Sequence, residues 1–188
     1  MQLTPREPAP PDPLPDCPEG SQVAPPIIKG NVYRIKDDLN LGNDFVVFDA
    51  RVLPIELDKD AICVISNRRT GIGCDQVIIL EPPRSQASDL FMRIYNADGS
   101  EVGACGNATR CVADRVMDEL ATSYLTIETQ AGLLKTNRTE NGVTVNFGPA
   151  YDKWDTIPLS KEKNTLHLDI SEGILSDPVC VNIGNPHL

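Results

Sequence analysis

One stretch of helical period stands among many short β-like runs, and that imbalance narrows what the chain can fold into. From Asn107 to Leu120, Ala108, Val112, Val116 and Leu120 recur every four residues. Cys111 lies beside this stripe, while Asp114, Arg115, Asp118 and Glu119 face away, as an amphipathic helix requires. Around it the β-branched or alternating runs are short: Val32–Lys36, Phe45–Phe48, Val77–Leu80, Leu90–Tyr95, Tyr124–Thr129, Leu133–Asn137 and Val143–Phe147. Turn residues punctuate them at Asn40–Asp44, Asp98-Gly99 and Asn141-Gly142, the last reading as a hairpin. A second, short helix is predicted after Leu57, capped by Asp58, with Ala61, Ile62 and Ile65 inward and its end before Gly71.

The ends read differently from the middle. Residues 1–26 hold nine prolines and little that packs, which predicts a disordered or polyproline-like extension. Residues 27–149 carry the pattern just described, and Gly148-Pro149 reads as a boundary. Beyond it, residues 150–188 are too few to bury a core of their own, although strands are predicted at Thr165–Ile170, with Leu166, Leu168 and Ile170 on one face, and at Val179–Ile183. The expectation is an incomplete second domain.

Charge and cysteine usage exclude several classes. Seventeen Lys and Arg against 27 Asp and Glu give a net charge of −10, which lacks the basic footprint nucleic acid demands. No apolar run approaches the roughly 18 residues that span a membrane. The N-terminus has no apolar signal core, so the expected location is the cytoplasm. Cys17, Cys63, Cys74, Cys105, Cys111 and Cys180 form no CxxC pair, and His167 and His187 are the two histidines, so neither a metal site nor a disulfide framework is expected. Cys63, Cys74, Cys111 and Cys180 sit in or beside apolar segments and read as core residues.

The stretch Asn96–Cys111, NADGSEVGACGNATRC, carries the chemistry. Cys105 lies between Gly103 and Gly106 at the start of the long helix. It reads either as a small apolar filler or as a reactive thiol, since helix N-termini favour the thiolate. The amides of Gly106, Asn107 and Ala108 would form a nest for a carboxylate there. Asn43, Asn96 and Asn107 sit in turns that should share one rim, where asparagine also serves simply as a turn or cap residue. Gln76, in the loop Gly71–Gln76, is harder to explain that way. Gly71-Ile72-Gly73 alone is no phosphate fingerprint.

Four segments in order, LGNDFVVFD from Leu41, GIGCDQ from Gly71, RIYNADGSEVGACGNATRC from Arg93 and NIGNPH from Asn182, resemble the diaminopimelate epimerase family. The resemblance implies an α+β fold: a mixed or antiparallel sheet wrapped around a central helix, in two pseudo-symmetric domains. It implies interconversion of LL- and meso-2,6-diaminopimelate without a cofactor, on a small-molecule substrate, and leaves a homodimer open. Cys105 matches the family's first catalytic cysteine. Asn43, Gln76, Asn96, Gly106, Asn107 and Asn185 match positions that bind the substrate's carboxylates and amino groups. His187 matches a histidine that helps polarise a catalytic thiol.

The implied chemistry needs two opposed thiols, one removing the α-proton and one returning it on the other face. The family's second cysteine, with a flanking glycine and hydroxyl residue, and a Glu-Arg pair lie past the NIGNPH segment and are not in these 188 residues. The expectation is therefore that the sequence is a fragment that does not epimerise alone. Ala108 replaces a glycine common in relatives, with little effect expected. The competing readings are a racemase acting on another amino acid and a non-catalytic protein of the same fold that binds an amino acid or a partner.

Overall fold

The computed structural model describes residues 31–36, 42–184 and 186–188. The Pro-rich extension with Cys17, the start of the Asn40–Asp44 turn, and Asn185 lie outside the described residues. The central sheet is built from β1 (Asn31–Lys36), β2 (Asp44–Asp49), β3 (Gln76–Glu81), β4 (Leu90–Asn96), β5 (Glu101–Val102), β6 (Tyr124–Thr129), β7 (Gly132–Thr139) and β8 (Gly142–Asn146). Their order is β1-β2-β3-β4-β6-β7-β8, with β5 paired to β4. The sheet is mixed: β2–β3 and β4–β6 run parallel and the other neighbours antiparallel.

Two helices cover opposite faces. α1 (Lys59–Ser66) starts as its sequence requires, with the Asp58 carboxylate accepting from the Ala61 amide at 2.8 Å, and buries Ala61, Ile62 and Ile65. It packs with Val46, Phe48, Val77 and Ile79. α2 (Gly106–Leu120) meets the other face, where Phe45, Val47, Ile78 and Leu80 point. Both β2 and β3 are thus buried on two sides, which is why their runs are continuously apolar rather than alternating. The α2 core also takes in Leu90, Met92 and Ile94 of β4 and Leu125 and Ile127 of β6, and touches Tyr33 of β1 and Val143 of β8. One helix in contact with strands from both ends of the sheet means that the sheet curls around it, as the resemblance implies.

The buried face of α2 differs from the predicted stripe. Ala108, Val112 and Val116 are buried, but Leu120 is 53% exposed and Cys111 only half-buried, while Thr109, Ala113 and Met117 complete the face. Residues spaced by four advance 400°, so a strict four-residue stripe drifts about 40° per step around the helix. By Leu120 it has left the core, and the neighbours one position on replace it.

After Gly148 the structure thins. A 3₁₀ turn (Trp154–Thr156) and two hairpins follow, β9 (Ser171–Glu172) with β10 (Leu175–Ser176) and β11 (Val181–Asn182) with β12 (Pro186–His187). The strand predicted at Thr165–Ile170 does not form: Leu168 is buried with Ile157 and Cys180, whereas Leu166 and Ile170 are exposed. Turns interrupt it, with the His167 amide donating to the Asn164 carbonyl and the Ile170 amide to the Leu168 carbonyl. Separate backbone bonds of Thr165, Leu168 and Ile170 to Cys180, Pro178 and Asp177 take the place of a regular ladder. The predicted strand Val179–Ile183 shrinks to the two residues of β11. Alternation alone does not make a strand where few backbone groups find a partner ladder.

Candidate functional site

Three of the polar residues singled out from the sequence are brought together by sheet register. Asn43 immediately precedes β2, and Gln76 opens β3; because these strands are parallel, with Phe45 opposite Gln76, both lie at the same end. β4 runs antiparallel to β3 and sets its last residue, Asn96, directly across from Gln76. The Gln76 amide donates to Asn96 Oδ1 at 3.0 Å. β5 then leads back through Gly103 and Ala104 to Cys105, the residue that caps α2.

α2 supplies the fourth amide. Asn107 Nδ2 donates to Asn43 Oδ1 at 2.8 Å, so the helix start is tied to the start of β2 across 64 residues of sequence. Cys105 has extended backbone (φ −146°, ψ 114°), its carbonyl accepts from both the Thr109 amide and the Thr109 hydroxyl, and its side chain is half-buried against the core. No side chain caps the helix, which leaves the first-turn N–H groups of Gly106, Asn107 and Ala108 without intrahelical acceptors. These are the donors a carboxylate uses. A β-carbon on Gly106 would lie 3.0 Å from Phe147 Cζ, so glycine there lets the aromatic ring close over the helix start. Gly106, Asn107, Arg110, Val143, Val145 and Phe147 line an open groove of about 430 Å³. A cavity of similar size on the α1 face, between Ile55, Leu57, Ile79 and Arg93, lies away from these amides.

The NIGNPH segment approaches the same loop. The Ala131 amide donates to the Gly103 carbonyl at 3.2 Å, and a methyl group on Gly184 would stand 3.5 Å from Ala131 Cβ and 4.0 Å from Ala104 Cβ. Gly184 is the neighbour of Asn185, whose own position lies outside the described residues. His187 sits on β12 opposite Val181 and is exposed.

The other thiols have different surroundings. Cys63, Cys74 and Cys180 are buried, as the sequence predicts. Burial pushes the Cys74 thiol pKa up, only partly offset by its contact with Ser66. Cys111 packs on the edge of the α2 core.

Charged residues that the sequence reading passed over frame the amides. Asp44, 6% exposed, accepts from Arg68 at 2.8 and 2.9 Å and from Arg34. Asp75 reaches back to it: the Asp75 amide donates to Asp44 Oδ1, and the Asp44 amide donates to Asp75 Oδ2, each at 3.0 Å. Hydrogen bonds from Arg68, then Arg34, hold the Asp44 carboxyl far below the usual range despite its burial. This knot joins the two residues that follow Asn43 and precede Gln76. Arg110 donates to Asn107 Oδ1 at 3.0 Å. Asp44, Asp75 and Arg110 stand inside the motifs LGNDFVVFD, GIGCDQ and CGNATRC, which was the available signal, whereas Arg34 and Arg68 lie outside them.

Comparison with known proteins now gives this geometry a context. The family model described as diaminopimelate epimerase matches residues 38–152. Diaminopimelate epimerase of Rhodospirillum centenum is 53% identical over 148 residues, covering 78% of this chain and 51% of that protein. The enzyme of Sphingopyxis alaskensis is 47% identical over 148 residues, covering 79% of this chain and 53% of its own length. Among solved structures, a predicted epimerase from Pseudomonas aeruginosa is 19% identical with a TM-score of 0.49, over 81% of this chain and 55% of that one. The chain spans about half the length of the curated relatives it matches. By sequence, over residues 38–152, it belongs to the diaminopimelate epimerase family.

Proposed function

We propose that these residues form one half of a cofactor-independent site that interconverts LL- and meso-2,6-diaminopimelate, an isomerase step in lysine and peptidoglycan-precursor synthesis in the cytoplasm. The observation that carries the proposal is the convergence of Asn43, Gln76, Asn96 and Asn107 on one sheet rim beside Cys105 and the uncapped start of α2. Four amides and the first-turn N–H groups suit a substrate with carboxylates and amino groups, because an amide both donates and accepts.

In this reading Cys105, as thiolate, takes the α-proton. The developing negative charge spreads onto the α-carboxylate, where Gly106, Asn107 and the helix start stabilise it. A thiol on the opposite face returns a proton and becomes the thiolate for the reverse direction. Within residues 1–188 no other cysteine stands in a comparable motif, and Cys63, Cys74 and Cys180 are buried in cores. We assign the second thiol to residues beyond these 188, and we place Asn185 among the substrate contacts and His187 beside a catalytic thiol by the same resemblance. The division into residues 27–149 and a second domain beginning at 150 belongs to this proposal.

The test is α-deuterium incorporation and LL-to-meso turnover. The 188 residues alone should give neither. In a polypeptide that carries the second thiol, Cys105→Ser should lose at least about a hundredfold in kcat, as expected for removing a general base, and Cys111→Ser should keep most of it. Turnover by the 188 residues alone, or equal losses in the two variants, sinks the reading.

A further inference from the structure

The four amides are not independent. Arg110 donates to Asn107 Oδ1 at 3.0 Å, Asn107 Nδ2 donates to Asn43 Oδ1 at 2.8 Å, and Asn43 Nδ2 donates to Asp75 Oδ2 at 3.4 Å, the weakest link. On the other side, Gln76 Nε2 donates to Asn96 Oδ1 at 3.0 Å, Asn96 Nδ2 to Ser100 Oγ at 3.1 Å, and the Ser100 hydroxyl to Asp98 Oδ1 at 2.6 Å. Both series run one way and both end on a carboxylate.

The ends dictate the direction. A guanidinium only donates and an ionised carboxylate only accepts, whereas an amide does either and a hydroxyl does both. Asp75 obliges Asn43 to turn its NH₂ toward it, which turns the Asn43 oxygen to Asn107, and so on to Arg110, whose donor agrees. Asp98 takes the Ser100 proton, leaving the hydroxyl oxygen to accept from Asn96. Rotating any one amide by 180° would set two donors or two acceptors face to face, leaving half-buried groups mispaired.

We propose that Arg110, Asp75 and Asp98 are positioning residues: they anchor two one-way relays that fix the orientation of the four site amides, leaving the second N–H of each amide for an anionic ligand. A site so wired is rich in donors before ligand arrives, and needs no amide rotation to take a carboxylate. Both carboxylate anchors are themselves braced. Asp75 is held by Arg68 at 2.8 Å and by the Asp44 amide, and Asp98 accepts a second bond from the Ser100 amide at 2.8 Å. The Ser100 bonds lower the Asp98 pKa, which keeps that terminus an acceptor in mild acid.

That the anion is a diaminopimelate carboxylate rests on the function proposed above. The experiment uses the 188-residue chain, ¹⁵N-labelled, and reads the side-chain NH₂ resonances of Asn43, Asn107, Gln76 and Asn96 with and without meso-diaminopimelate. Arg110→Met should shift the signals of Asn107 and, two links away, Asn43, and leave Gln76 and Asn96 in place. Asp98→Ala should do the reverse. Arg110→Lys and Asp98→Asn, which retain a donor and an acceptor, should restore most of the wild-type pattern and keep the comparison possible if the harsher variants fold poorly. Each harsh variant should weaken meso-diaminopimelate binding about three- to tenfold, the effect of one misdirected hydrogen bond.

An unmoved Asn43 in Arg110→Met overturns the relay, and so does either harsh variant moving all four amides alike, because general loosening is not orientation. Relay-selective shifts with no response to meso-diaminopimelate leave the orientation standing and count against carboxylate binding by this half of the site.

Discussion

Asp44→Asn is the perturbation that most directly probes how the site end of the sheet is held together. The substitution keeps the side chain's size and one oxygen for the Asp75 amide but removes the charge that faces Arg68 and Arg34. Charge-assisted hydrogen bonds contribute about 1.5–3 kcal/mol each where they are shielded. Here the carboxylate is 8% exposed but the guanidiniums are 54% and 41% exposed, so the two pairs are worth far less than buried ones. A loss of about 2 kcal/mol at pH 7 follows, measured as the shift in urea midpoint at constant m-value. The pH dependence has a definite sign. The folded-state pKa of Asp44 lies below its unfolded value, so its stabilisation is whole above the unfolded pKa of about 3.9 and fades as pH falls below it. The gap between wild type and Asp44→Asn should therefore be widest near neutrality and close in acid. A loss under about 0.5 kcal/mol at pH 7, or a gap that does not change down to pH 3, refutes the account.

Two further outcomes test the packing. Gly99 has φ +80°, and a methyl group there would meet Lys59 Cγ at 2.4 Å and the Lys59 carbonyl at 3.0 Å, so Gly99→Ala should cost about 2 kcal/mol by thermal or urea denaturation. A neutral result would mean that the Asp98–Ser100 turn does not pack on the start of α1. Met117→Ala, at 1% exposure in the α2 core, should cost about 2–4 kcal/mol. Leu120→Ala, on the exposed end of the same helix, should cost under about 1 kcal/mol, and equal losses would place the buried face wrongly.

Local pattern carried the element list because each element's cause is local. The Asp58 cap, the apolar runs of β2 and β3 and the period of α2 are set by near neighbours, and α1, β2, β3, β4 and α2 form where they are predicted. The residues after Gly148 show the limit. Leu166, Leu168 and Ile170 alternate as a strand does, but with no continuous ladder beside them the chain turns instead.

The site divides in the same way. Cys105, Gly106 and Asn107 are contiguous at a helix start, and the sequence by itself set them together and marked the thiol as a candidate for acid/base work. The gathering of Asn43, Gln76 and Asn96 is a matter of register: parallel β2–β3 and antiparallel β3–β4 pairing bring to one rim residues more than 50 positions apart. Which way each amide points was decided only by tertiary structure. An amide's orientation depends on the donors and acceptors that face it, and here those are Arg110, Asp75 and Asp98, whose roles no spacing in the sequence reveals.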